Sequence, residues 1–212
     1  EFASVRVYLG SEGGVPYFAL GFEGVHEKIE ALLEEAQQFI DLRQVALDLP
    51  QEQSAVLAYA RGIVHWNLRH QHCPDCGQLT HSLEAGHVRQ CGSESCGKAH
   101  YPRTDTAVIV LISEGDACLL GRQQVWPSGQ YATIAGFLEP GETLEQAVAR
   151  EAMEETGVHL QSIQYHSSQP WPFPGSIMVG FNAEATNRRL KVNRDELEDA
   201  RWLTREDVAD GL

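Results

Sequence analysis

The chain has 212 residues, 30 acidic and 16 basic, for a formal net charge of −14. Hydrophobic residues make up 42%, too many for a disordered chain and enough for one or two domains with a buried core. The acidic balance argues against non-specific binding to nucleic acid or an anionic membrane, and no apolar run approaches the roughly 18 residues of a membrane span.

In chain order, residues 5–9 (VRVYL) and 15–22 (VPYFALGF) are β-branched and aromatic and flank the turn-rich SEGG. From His26 to Ile40, the residues Ile29, Leu32, Leu33, Ala36 and Ile40 fall at helical spacing. A second helix is expected from about Gln51 to His70, ending where the cysteines begin. Residues 1–70 thus read as a small α+β domain without a catalytic constellation.

After Cys96 the texture changes. Thr106–Ile112 is a strand by residue type, with Ala117–Gly121 its hairpin partner across Glu114-Gly115-Asp116. Tyr131–Phe137 is a further short strand. A helix follows from about Thr143 to Thr156, with Thr143 and Gln146 placed as a capping box. Val158–His166 and Ser176–Ala185 read as strands, and Thr204–Ala209 as a short helix. This alternation predicts an α/β sandwich over 103–212, preceded by a metal-binding segment over 71–102.

That segment carries Cys73, Cys76, Cys91 and Cys96, spaced C-x2-C-x14-C-x4-C. Two thiolate pairs on separate knuckles can close a tetrahedron around one Zn²⁺, and four sulfurs leave no open position, so the ion is expected to be structural. Gly77 and Gly97 follow the second cysteine of each pair and suit tight knuckle turns. His72, His81, His87 and His100 lie nearby, but the four sulfurs suffice. Cys118, within an apolar strand, reads as a small core residue.

Residues 136–158 read GFLEPGETLEQAVAREAMEETGV, with six glutamates against the single Arg150. On a helix the stripe through Leu144, Ala147 and Val148 continues into Glu151, Glu154 and Glu155. Three carboxylates on the core-facing side would repel one another and lose solvation. A divalent cation such as Mg²⁺ or Mn²⁺, which also bridges phosphate oxygens, resolves that cost. Arg150 is expected outside the cluster, paired with Glu142 to hold the preceding loop. An acidic amphipathic helix with surface salt bridges is the alternative.

The full pattern G136-x5-E142-x7-R150-E151-A152-x-E154-E155-x-G157-V158 resembles the Nudix box, with roughly a 10⁻⁸ chance of arising per window. The resemblance implies a Nudix α/β/α sandwich that hydrolyses a nucleoside diphosphate linked to another moiety. It implies that Glu151, Glu154 and Glu155 bind two or three Mg²⁺ or Mn²⁺ ions, that the carbonyl of Ala135 joins them, and that Arg150 orients the acids.

Residues 168–176 read SQPWPFPGS. Pro170, Pro172 and Pro174 alternate with Trp171 and Phe173, so the segment is expected as a stiff extended loop that displays two rings for stacking on bases. A rigid connector with its rings in the core and a PxxP ligand are the alternatives. The stretch resembles the S-Q-P-W-P-F-P-x-S signature of the NADH pyrophosphatase subfamily of Nudix hydrolases, which also carries a four-cysteine zinc ribbon before the Nudix domain. The resemblance marks Gln169, Pro170, Trp171, Pro172, Phe173, Pro174, Gly175 and Ser176 as substrate-binding. It adds Tyr101 as a substrate contact and Glu196 as a later metal ligand, the latter otherwise a solvated acid beside Asp195 and Glu198. Phe137 either stacks on the nicotinamide or fills the core.

The implied reaction is hydrolysis of the pyrophosphate of NADH or NAD⁺ to NMN(H) and AMP, with Glu155 or Glu154 helping to deprotonate the attacking water. An NAD cap at the 5′ end of RNA fits the same chemistry. Hydrolysis of ADP-ribose or dinucleoside polyphosphates is the alternative within the class, and a catalytically weak zinc-ribbon and Nudix binding module is the alternative outside it. The resemblance also implies a homodimer. It implies a C-terminal helix beyond Gly211-Leu212, where this sequence stops, so that helix is expected to be absent. With no secretory mark in view, the expected location is cytoplasmic.

Overall fold

A computed structural model describes residues 3–22 and 38–211. The chain divides into two units, one of residues 1–104 with 170–176 and one of residues 105–169 with 177–212.

In the first unit, strands β1 (Val5–Glu12) and β2 (Val15–Gly21) form an antiparallel hairpin that turns at Gly13-Gly14. A short helix α1 (Leu42–Val45), capped by Asp41, precedes the long helix α2 (Gln51–Arg69). Val5, Val7 and Ala19 of the hairpin pack with Ile63 and Trp66 of α2 as a small apolar core. Most of the helix expected over His26–Ile40 lies outside the described residues, and residues 38–40 are irregular. Beyond α2, strands β3 (Thr80–Leu83), β4 (Val88–Cys91) and β5 (Ala99–His100) make a three-stranded antiparallel sheet that carries the cysteines.

The second unit is built on a six-stranded sheet. Strands β6 (Asp105–Glu114) and β7 (Ala117–Arg122) form the expected hairpin. Strand β8 (Ile134–Phe137), shorter than Tyr131–Phe137, pairs with β6. Strands β9 (Leu160–Trp171), β10 (Ser176–Ala185) and β11 (Asp199–Thr204) complete the order β11-β7-β6-β10-β9, with β8 off that path on β6. Val108, Val110 and Ile112 alternate along β6 toward one face. Val179, Phe181, Ala183 and Ala185 do the same along β10. Helix α3 (Leu144–Thr156) closes that face with Ala147, Val148 and Ala152, each fully buried. A short helix α4 (Arg205–Ala209), capped by Thr204, follows β11.

β9 is an edge strand and runs through Ser168, Gln169 and Pro170 to Trp171, further than the loop expected there. An edge tolerates proline because the missing N–H faces no neighbour. Among the described residues no helix is long and apolar enough to cross a membrane.

Candidate active site and metal centres

The acidic helix is fixed at both ends. Gly141 adopts φ +96° in the turn before it, and Thr143 and Gln146 form a reciprocal capping box. Gly157 ends it in the left-handed conformation at φ +72°, against Lys191. The helix is therefore held in one rotation. The apolar face that enters the core carries Glu151 and Glu155 with it, each 8% exposed.

Glu151 lies over Gly136 of β8, where a Cβ would fall on its carboxyl group. Ala135, whose carbonyl the resemblance assigns to metal, precedes Gly136 and pairs with Ile109 across the β6–β8 ladder.

Arg150 departs from the expectation. Its Nε and Nη2 grip both oxygens of Glu142 at 2.6 and 3.0 Å, as expected. Its Nη1, however, donates to Glu151 at 2.8 Å and Glu154 at 3.1 Å, and Nη2 also donates to the Phe137 carbonyl at 2.9 Å. It stands inside the cluster because a planar fork with five N–H groups can serve three carboxylates and a carbonyl together. Those partners, Glu142 first, hold it firmly protonated.

Glu154 also departs. Its side chain is 54% exposed, so two of the three box carboxylates face the interior. At 3.6 residues per turn, Glu154 sits about 60° from Glu151 on the side away from Glu155. Among the described residues, only the cysteine groups bring three candidate ligand atoms within 4.8 Å. The box glutamates stand wider, two of them drawn onto Arg150.

Burial, then the charges of Glu151 and Glu196, pushes the Glu155 carboxyl up to about 8. Burial likewise raises Glu151, and Arg150 only partly offsets it. No basic group among the described residues neutralises Glu155. Glu196 reaches this field from the loop before β11. Asn193 donates its backbone N–H to the Glu155 carbonyl at 2.8 Å and its side-chain amide to Glu196 at 3.2 Å. Hard oxygen donors with an unbalanced negative charge fit a divalent cation.

The cysteines form the second centre. Cys73 and Cys96 have their sulfurs 3.8 Å apart, and Cys76 and Cys91 3.4 Å apart. These separations are too long for a disulfide and near the roughly 3.8 Å edge of a tetrahedron with Zn–S bonds of about 2.3 Å. Gly77 and Gly97 take φ +75° and +55° at the knuckles. Burial opposes ionisation of Cys73, but the amides of Asp75 and Cys76 and the His100 side chain override it and draw the thiol down to about 6. His100 Nε2 lies 3.3 Å from the Cys73 sulfur, so this histidine supports a ligand rather than replacing one. The Gln78 amide favours the Cys76 thiolate, yet Cys91 and burial outweigh it and push Cys76 up to about 12. A bound cation would remove that conflict.

The residues assigned to substrate fall in both units. Tyr101, 64% exposed, and Pro170–Ser176 belong to the first. Phe137, 61% exposed, and Gln169 belong to the second. Trp171 is exposed and Pro172 and Ser176 are buried. Phe173 is not freely displayed: Arg43 and Arg61 lie 4.5 and 5.1 Å from its ring centroid, and Trp171 meets it edge-on at 5.3 Å. Sequence reading did not anticipate the two arginines, which lie far from the loop in the chain. It also missed a pocket of about 320 Å³ lined by Gln169, Thr133, His166, Met178 and Asn182. Met178 and Asn182 share a β10 face by the two-residue period, which was the available signal.

Residues 102–212 match the model of the NUDIX domain. Residues 3–66 match the NADH pyrophosphatase-like rudimentary NUDIX domain, and 68–101 the NADH pyrophosphatase zinc ribbon domain. The chain is 42% identical over 210 residues to NAD-capped RNA hydrolase NUDT12 of Macaca fascicularis, covering 95% of this chain and 46% of that protein. It is 42% identical over 162 residues to NAD-capped RNA hydrolase NudC of Stutzerimonas stutzeri (strain A1501), covering 76% and 58%. The chain thus spans about half the length of the curated relatives it matches. A NUDIX hydrolase from Nitrosomonas europaea shares the fold, with a TM-score of 0.55 at 22% identity over 65% of this chain and 79% of that one.

Proposed function

The chain belongs to the Nudix hydrolases, with an NADH pyrophosphatase-type zinc ribbon, and from that membership we propose that it hydrolyses the pyrophosphate bond of NADH or NAD⁺ to NMN(H) and AMP. The same chemistry extends to an NAD cap at the 5′ end of RNA, the substrate named for two of its relatives.

The observation that carries this reading is the buried pair Glu151 and Glu155, with Glu196 in the same field and no cation on Glu155. Glu151, Glu154, Glu155, Glu196 and the Ala135 carbonyl would hold Mg²⁺ or Mn²⁺. Those ions, when bound, supply charge neutralisation at the diphosphate and a more acidic water. Arg150 orients Glu151 and Glu154 and ties them to Glu142 and Phe137. Glu155, whose raised affinity for a proton lies near neutrality, is the group that takes a proton from the attacking water. Exposed Phe137, Trp171 and Tyr101 offer ring faces to the bases.

Zn²⁺ on Cys73, Cys76, Cys91 and Cys96 has a structural role in this reading. A homodimer and a cytoplasmic location complete it, both taken from the resemblance. The domain limits proposed are 1–70, 71–102 and 103–212. Incubation with Mg²⁺ and NADH, NAD⁺, ADP-ribose or diadenosine substrates tests it. AMP and NMNH should appear, with the highest kcat/KM on NADH or NAD⁺. A clear preference for ADP-ribose would overturn the substrate assignment.

A further inference from the structure

The loop from Pro170 to Ser176 has a shortage of donors. Three prolines in five positions remove three N–H groups, so the loop cannot satisfy its own carbonyls as a tight turn normally does. One internal bond exists, from the Phe173 N–H to the Trp171 carbonyl at 2.8 Å. The Pro172 carbonyl instead accepts from Arg61 Nε at 2.7 Å, a residue 111 positions earlier in the middle of α2. The same guanidinium lies 5.1 Å from the Phe173 ring centroid, and Arg43, just before α2, lies 4.5 Å from it. One side chain therefore fixes both the backbone at Pro172 and the ring beside it. Both contacts fall within the first unit of the chain.

We propose that Arg61 is a positioning residue for substrate binding: its bond to the Pro172 carbonyl and its place against Phe173 set the loop conformation that presents Trp171. Arg43 is an auxiliary contact, since it touches the ring and not the backbone. The inference rests on the loop being the substrate-binding segment, as in the reading above. It gives the N-terminal residues a part in substrate binding although they carry no catalytic constellation. A planar guanidinium suits this double contact, because it can donate in its plane and stack through its face.

The test compares Arg61→Ala, Arg61→Lys and Arg43→Ala with the unaltered chain in Mg²⁺. Steady-state NADH hydrolysis and deuterium uptake in peptides covering 168–176 are read together. Arg61→Ala should raise KM about tenfold with kcat changed less than twofold, and should speed exchange in the loop. Millimolar N-methylguanidinium should recover part of that KM, an effect a purely structural role would not give. Arg61→Lys should fall between the two, and Arg43→Ala should change KM less than Arg61→Ala. A folded Arg61→Ala protein with unchanged KM and unchanged exchange overturns the proposal. If that variant does not fold, Arg61→Gln, which keeps a donor for the carbonyl, carries the same readouts. If the unaltered chain does not hydrolyse NADH, the substrate reading fails by itself, and loop exchange alone decides whether Arg61 positions the segment.

Discussion

No side chain fits at residue 136 while Glu151 holds its place: a Cβ on Gly136 would fall on the Glu151 carboxyl group. The glycine of β8 and the glutamate of α3 are thus a matched pair, one vacating the volume that the other fills. Gly136→Ala should displace the carboxylate from the site. The expected result is a loss of turnover of about two orders of magnitude, with Mg²⁺ affinity weakened about 10- to 100-fold. A variant with ordinary metal dependence would show that Glu151 does not serve the metal from this position.

Arg150 joins Glu142, Glu151, Glu154 and the Phe137 carbonyl. Lysine keeps the charge and loses the fork, so Arg150→Lys should lower kcat about tenfold. Arg150→Ala should also cost about 2 kcal/mol of stability, because it leaves partly buried carboxylates unpaired. Thermal melts and turnover measured side by side separate the two effects. Full activity in Arg150→Lys would argue that the charge alone matters.

The raised Glu155 carboxyl predicts a pH dependence of stability in metal-free protein. Its folded pKa, about 8, lies above the ordinary value of 4.5, so the folded state binds the extra proton between these limits. Stability is then highest below about pH 4.5 from this group, and falls as pH rises toward 8. In EDTA the melting temperature should decline across that window, and Glu155→Gln should flatten the decline. Mg²⁺ added at pH 7 should release protons, which calorimetry in buffers of different ionisation enthalpy detects. No buffer dependence would contradict a protonated Glu155.

The cysteine centre predicts that chelation acts away from the carboxylates. Zinc removal, or Cys91→Ala, should lower the melting temperature and loosen the first unit, since four-cysteine sites contribute folding energy directly. One zinc per chain should be released on titrating the thiols. Unchanged melting in zinc-free protein would remove the structural role.

With a net charge of −14, any capped RNA should be held at its 5′ end rather than along its length. The logarithm of kcat/KM should fall with the logarithm of salt at a slope shallower than about −2. A steep slope would mean many phosphate contacts.

Much of this was legible in the sequence, for physical reasons. The capping box at Thr143 and Gln146, the knuckle glycines and the strands β6, β7 and β10 are set by local periodicity and turn chemistry, which sequence records directly. The box placed Glu151 and Glu155 on the core face. It misjudged Glu154, because a 100° step leaves that residue on the flank, and a face read over two turns is coarser than that. It also set Arg150 outside the cluster, since only the folded arrangement brings Glu142 and the helix acids to one guanidinium. The proline-aromatic segment was read as two displayed rings. Phe173 is instead held by Arg43 and Arg61, contacts across more than 100 residues that no local pattern contains.

The most direct measurement compares NADH hydrolysis by the unaltered chain and by Glu155→Gln in Mg²⁺, with folding checked by circular dichroism. The unaltered chain should release AMP and NMNH. Glu155→Gln should be slower by at least about a hundredfold while its fold is retained, the scale expected on loss of a general base that also neutralises charge. Near-normal turnover by folded Glu155→Gln would contradict the central claim.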